Sequence, residues 1–171
     1  MTIVHHINAN GVATKMTNET TDDDGRCVTG SCLCGRVRFE VARPVPNLYR
    51  CHCSLCRRQG GAAGNAATLA MAEHFAWRAG EEAITRWKRK TGFNSHFCSG
   101  CGCPVPNPVG DGELMWVPAG LLDEDDGVRV TAELCFASRA AWDTVPDVGT
   151  TVFDEVPDLD ALMVVLAREG S

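Results

Sequence analysis

Cys51-His52-Cys53-Ser54-Leu55-Cys56 places three thiols and an imidazole within six residues. Two further clusters flank it: Cys32-Leu33-Cys34-Gly35 before, and Cys98-Ser99-Gly100-Cys101-Gly102 after. Seven of the ten cysteines therefore fall into C-x-C, C-x-C-x-x-C and C-x-x-C spacings. Scattered core cysteines have no reason to adopt such spacings, whereas metal ligands do. Zinc takes thiolate and imidazole ligands in a tetrahedral set, with Zn–S near ~2.3 Å. On an extended strand the two sulfurs of C-x-C point to one face. A C-x-x-C turn aims two sulfurs at one ion, and Gly102 lets the chain fold back beneath it.

Pairing Cys32 and Cys34 with Cys98 and Cys101 gives a closed four-thiolate site, the structural kind. Such a site would clamp the start of the domain to its middle. Cys51, Cys53 and Cys56 remain as a triad with one position open to water or substrate, the arrangement of catalytic zinc. A thiol held at that position is deprotonated and nucleophilic. His52 is carried with the triad as a candidate catalytic residue. Three roles stay open for it: fourth ligand, proton shuttle, or a polar residue that fixes the loop. Arg57 and Arg58 follow directly and are candidates for pairing with the carboxylates of a bound thiol. Cys27, Cys103 and Cys135 read as core or loop residues, Cys103 also as a spare ligand or redox partner, and His74 and His96 as structural.

The 171 residues suit one domain with a core of its own. Met1–Arg26 is polar and acidic, with Asp22-Asp23-Asp24-Gly25 near its end, and reads as a flexible tail. His5 and His6 sit in that tail. Residues 27–171 are then expected to form a single zinc-binding domain. No long apolar run points to a membrane, and no apolar h-region opens the sequence, so we expect a cytoplasmic protein with reduced thiols. The net charge of −6, and no evident Lys/Arg stripe, argue against a nucleic-acid partner held by bulk electrostatics.

Gly35–Val41 alternates, with Val37, Phe39 and Val41 on one face, which predicts a half-buried strand. Leu48-Tyr49-Arg50, Gly92–Phe97, Glu113–Pro118 and Val128–Phe136 read as further short strands, Gly80–Lys88 as a turn and then a strand, and Ala66–Met71 as a strand or a buried turn. Arg57–Gly64 reads as a loop, and Pro104, Pro106 and Pro108 as breaks in the sheet. Only Leu159–Arg168 has a helical pattern, with Leu162, Val165 and Leu166 on one side. Many short strands and little helix predict an all-β sandwich or barrel-like domain.

Gly30-Ser31-Cys32-Leu33-Cys34-Gly35-Arg36-Val37-Arg38-Phe39, Cys51–Arg58 and Phe97–Gly102 resemble the three signature segments of the glutathione-dependent formaldehyde-activating enzyme family, also called the centromere protein V/GFA domain. Ala119-Gly120-Leu121-Leu122-Asp123 and Ser138-Arg139-Ala140-Ala141-Trp142 are similar to its G-x-L-D and S-K-x-x-W segments. The resemblance covers about Gly30 to Pro157. It implies a mainly β, zinc-containing sandwich of small antiparallel sheets, related to the methionine sulfoxide reductase B fold. It implies two zinc ions per chain: a structural one on Cys32, Cys34, Cys98 and Cys101, and a catalytic one on Cys51, Cys53 and Cys56. The activity it implies is that of a carbon–sulfur lyase, joining glutathione and formaldehyde to S-(hydroxymethyl)glutathione or running that reaction backwards. Two departures stand out. Cys103 occupies the place after C-x-x-C-G where the family usually has Ser or Thr. Leu134-Cys135-Phe136 occupies a strand that often carries a His.

Two function classes follow. One is a zinc-dependent lyase or synthase acting on an adduct of glutathione, or another thiol, with a small aldehyde. The other is a non-catalytic zinc module that binds a protein or nucleic-acid partner. Thiol redox chemistry through Cys103 is a third reading.

Overall fold

The computed structural model of the chain describes residues 26–143 and 149–168. The tail predicted over Met1–Arg26, with its two histidines, lies outside the described residues except for Arg26. In chain order the strands are β1 (Cys27–Ser31), β2 (Arg38–Ala42), β3 (Leu48–Cys51), β4 (Asn65–Met71), β5 (Phe75–Ala79) and β6 (Ile84–Lys88). They continue with β7 (Asn94–Cys98), β8 (Asn107–Val109), β9 (Leu114–Pro118), β10 (Val130–Leu134) and β11 (Thr151–Val152). Among the described residues there are also two short α-helices, α1 (Ser54–Gly60) and α2 (Leu159–Leu166), and four single 3-10 turns.

The protein is mainly β and built from several small sheets. β1, β2 and β5 form one, β6 and β7 a two-stranded ribbon, and a six-stranded sheet runs β11-β10-β3-β4-β9-β8. The alternation at 35–41 works as predicted: Val37, Phe39 and Val41 are all buried. Phe39 stacks on Phe75 at 5.6 Å, and Trp77 meets both rings edge-on. Phe39, Val41, Phe75 and Trp77, with Val28, Val45, Ala70, Met115 and Val117, make the core between the three- and six-stranded sheets. A second core, around Tyr49, Cys51, Leu69 and Leu134, is covered by Leu162 and Leu166 of α2.

The structure corrects three expectations. The large sheet is mixed: β10 lies parallel to β3, with Leu134 beside Cys51, and β11 lies parallel to β10. Parallel neighbours need a long crossover, and the excursion through β4–β9 supplies it. The expected loop after Cys56 begins as helix α1, because the Cys53 sulfur accepts the Cys56 N–H at 3.4 Å as an N-cap. Gly61 closes that helix in the left-handed conformation. Pro108 does not break the sheet but sits in β8, an edge strand where no proline N–H is needed.

The acidic average also hides a local exception. The β6–β7 ribbon exposes Arg86, Lys88, Arg89 and Lys90 around an exposed Trp87.

Candidate functional site

The first thiol cluster forms where two tight turns meet. Cys32, Cys34, Cys98 and Cys101 place their sulfurs all within 4.8 Å of one another. Gly35 and Gly102 follow the last cysteine of each pair, both at φ 71°, so each chain turns away once its ligands are set. Backbone N–H groups point back at the sulfurs: Val37 N–H lies 3.3 Å from the Cys32 sulfur. Burial pushes the Cys32 thiol up, but that bond and the Cys34 contact outweigh it and bring it down to about 7. The N–H groups of Cys103 and Cys34 hold the Cys101 thiol below its ordinary value. At Cys34 the N–H of Arg36 acts downward, but the neighbouring Cys32 and Cys101 thiols win and raise it to about 11. Thiols so close that they cannot all ionise, yet ringed by N–H donors that favour thiolate, are a donor set that fits a divalent soft cation. Val37, Ala83 and Val105 seal the cluster from behind.

The second cluster sits at the junction of β3 and α1. Cys51 ends β3, Cys53 caps α1 and Cys56 lies in its first turn, with the three sulfurs within 4.8 Å of one another. Contact with Cys56, together with burial, drives the Cys51 thiol strongly upward. Three crowded thiols in a half-buried place again fit a metal ion, here with one ligand fewer than a tetrahedron needs. The two clusters could each hold a metal ion.

The His52 ring does not join the thiols. It is buried, with Nε2 2.6 Å from Glu133 Oε2 and Nδ1 2.8 Å from Asp143 Oδ2. The second contact is short but falls outside hydrogen-bond geometry. Glu133 is itself buried and is gripped by Arg50, whose Nε–H donates to Oε2 at 3.0 Å while Nη2 reaches Oε1. Phe136 meets the His52 ring edge-on at 5.4 Å, and the Arg139 guanidinium lies 4.3 Å over Phe136.

Sequence reasoning missed this network. Its signal was present in Glu133, the one charge in the run Ala132-Glu133-Leu134-Cys135-Phe136, because a carboxylate in an apolar strand needs a buried partner. It also missed how near Cys135 comes. That residue leaves β10 in a left-handed conformation at φ 55°, buried against the triad, and burial and contact with Cys51 raise its thiol to about 12.

Arg57 and Arg58 lie on α1 beside a cavity of about 310 Å³. Its lining is Ser54, Arg57, Arg58, Gly61, Ala62 and Trp142. Positions 54, 57, 58 and 61 follow the i, i+3, i+4, i+7 spacing of one helix face, and Cys53 and Cys56 lie on the adjacent one. Cavity and triad are thus neighbours on one helix. The Arg57 Nε–H donates to the His52 carbonyl at 3.1 Å, which anchors that guanidinium. Gln59 crosses to the ribbon, donating to Ser95 Oγ at 3.1 Å and accepting from Asn65 at 2.9 Å. Cys103 lies beside the four-thiol cluster and is raised by burial. Cys27 and His74 lie away from both clusters, and His96 is buried on β7.

These features can be set beside known proteins. A protein of Halomonas elongata described as "Putative glutathione-dependent formaldehyde-activating enzyme" is 38% identical over 78 residues, covering 42% of this chain. The match spans about half the length of that relative, 50%. A crystal structure of a Rhodobacter sphaeroides protein aligns over 60% of this chain and 99% of its own, at 28% identity and a TM-score of 0.49. The model of the glutathione-dependent formaldehyde-activating enzyme family matches residues 27–138, which take in both thiol clusters and most of the described strands. On that match the chain belongs to the glutathione-dependent formaldehyde-activating enzyme family.

Proposed function

We propose that this protein is a zinc-dependent carbon–sulfur lyase or synthase. Its substrate is an adduct of glutathione, or a similar thiol, with a small aldehyde such as formaldehyde. The observation that carries this reading is a three-thiol site one ligand short of a tetrahedron, set on the same helix as a cavity with two guanidinium groups. Cys32, Cys34, Cys98 and Cys101 would hold a structural zinc in a zinc-containing sandwich of the methionine sulfoxide reductase B type. Cys51, Cys53 and Cys56 would hold the second ion. That ion, when bound, supplies an open position and lowers the pKa of a thiol that takes it.

The rest falls to the chain itself. Arg57 and Arg58 present planar, permanently charged donors suited to carboxylates, of which glutathione has two. Trp142 offers an exposed apolar wall against which a peptide backbone can lie. The cavity is open and near the small end of ligand pockets, so it fits part of a tripeptide and leaves room for a small carbonyl compound. In the synthetic direction the thiol sulfur adds to the carbonyl carbon, the C=O bond opens, and the thiol proton ends on the new hydroxyl; the lyase direction reverses each step.

The test is to mix the zinc-loaded protein with glutathione and 13C-formaldehyde and follow the hydroxymethyl carbon by NMR exchange. We expect exchange faster than in protein-free buffer, with Arg57→Ala/Arg58→Ala weakening the glutathione dependence. Exchange no faster than in buffer would overturn the assignment.

The β6–β7 ribbon favours one second reading, an interaction module for a polyanion, since it exposes Arg86, Lys88, Arg89 and Lys90 together with Trp87. A salt-dependent shift with single-stranded DNA, lost when these four become Gln, would support it. No shift at low salt would exclude it.

A further inference from the structure

We propose that His52 is a positioning residue that sets the two walls of the cavity, Arg57 and Trp142, relative to the triad. The proposal rests on the thiol-binding reading given above. Its basis is that both walls are fastened to this one residue. On one side the Arg57 Nε–H donates to the His52 carbonyl at 3.1 Å. On the other, Trp142 is followed by Asp143, whose carboxylate lies 2.8 Å from the His52 ring.

The ring itself is held from the sheet. The His52 backbone N–H donates to the Leu134 carbonyl at 2.9 Å, tying the end of β3 to β10. Nε2 faces Glu133, which Arg50 clamps from the adjacent strand. Phe136 packs perpendicular to the ring plane, at 89°. His52 is thus fixed on the far side and presents one nitrogen to the segment that carries Trp142.

That segment has weak claims of its own on the sheet. Arg139 N–H to Phe136 and Asp143 N–H to Ala140 are local turns, at 3.1 and 3.0 Å. Trp142 stays 71% exposed, so its own ring is not packed in place. The buried Ala140 and the Asp143 carboxylate, 2.8 Å from the His52 ring, reach inward. Freeing the carboxylate should loosen the Trp142 wall while leaving the thiols where they are. A purely structural role for the pair would lower stability without changing affinity in the folded protein.

The experiment uses metal-loaded full-length protein with Asp143→Ala and Asp143→Asn, and His52→Gln as a second site. Hydrogen exchange over residues 136–143 is measured without ligand, glutathione affinity by calorimetry, and metal content by mass spectrometry. Expected for Asp143→Ala is faster exchange across 136–143, glutathione affinity weaker by about tenfold, and unchanged metal content, with Asp143→Asn recovering most of the affinity. Unchanged exchange in Asp143→Ala overturns the proposal. So does affinity that falls only in step with lost metal. If the unsubstituted protein binds no glutathione, the thiol-binding reading falls, and the exchange measurement alone decides the role of His52. If His52→Gln does not fold, the Asp143 pair carries the decision.

Discussion

Replacing Glu133 by Gln keeps the side-chain volume and removes one buried charge. The carboxylate has 1% side-chain exposure and meets the His52 ring at 2.6 Å and Arg50 Nε at 3.0 Å. Breaking a buried pair from one side costs about 3–5 kcal/mol, because the remaining charge is left without a partner. Here the two partners differ. Arg50 is 36% exposed at its side chain and can turn to water, so its share is small. His52, 1% exposed, has no such recourse, and the amide can offer only one oxygen where two donors converge. The lower end, about 3 kcal/mol, is therefore expected. With a slope of about 2 kcal/mol per M urea, the unfolding midpoint should fall by about 1.5 M. Arg50→Ala, which leaves Glu133 its His52 contact, should cost less. A midpoint shift for Glu133→Gln smaller than that for Arg50→Ala would refute the reasoning, since it would put the energy at the exposed end of the network.

Other consequences can be measured with the same material. Cys98→Ser removes a fully buried thiol beside Val37 and Val105, where the proposed structural zinc would contribute on the order of 10 kcal/mol; circular dichroism should show loss of fold, whereas Cys53→Ser should lose one metal and keep it. Gly30→Ala would set a methyl 2.4 Å from the Phe39 ring and 2.7 Å from the Leu121 carbonyl, so about 1–3 kcal/mol of destabilisation is expected in urea titration. Leu166→Ala empties a fully buried position of α2 against the triad-side core, and should cost about 2–5 kcal/mol by the same titration; a melting temperature equal to the parent would mean α2 does not close that core.

Much of the site was legible because metal ligation is written in local spacing. C-x-C and C-x-x-C fix which sulfurs can converge, and the glycines after them mark where the chain must turn. The strand at 35–41 was legible for a similar reason: its period of two is set by the pleat. α1 was hidden because its cap is a cysteine, outside the usual Ser, Thr, Asp and Asn, and because Gly60-Gly61 resembles a loop. The parallel pairing of β3 with β10 was hidden because nothing near either strand encodes a partner so far along the chain. The same distance hid the network at His52. Arg50 and His52 stand next to the central cysteines, but Glu133 and Asp143 reach them only through that pairing. Trp142 was visible as part of a motif, yet its place at the cavity follows from the fold alone.

The central claim is that the Cys51, Cys53 and Cys56 site keeps a position for an external thiol. Loading the protein with Co2+ and titrating glutathione while recording the cobalt–thiolate absorption tests it most directly. The account predicts a saturable spectral change in the parent protein and none in Cys53→Ser, with the four-thiolate contribution constant throughout. A parent spectrum unmoved at millimolar glutathione would contradict it.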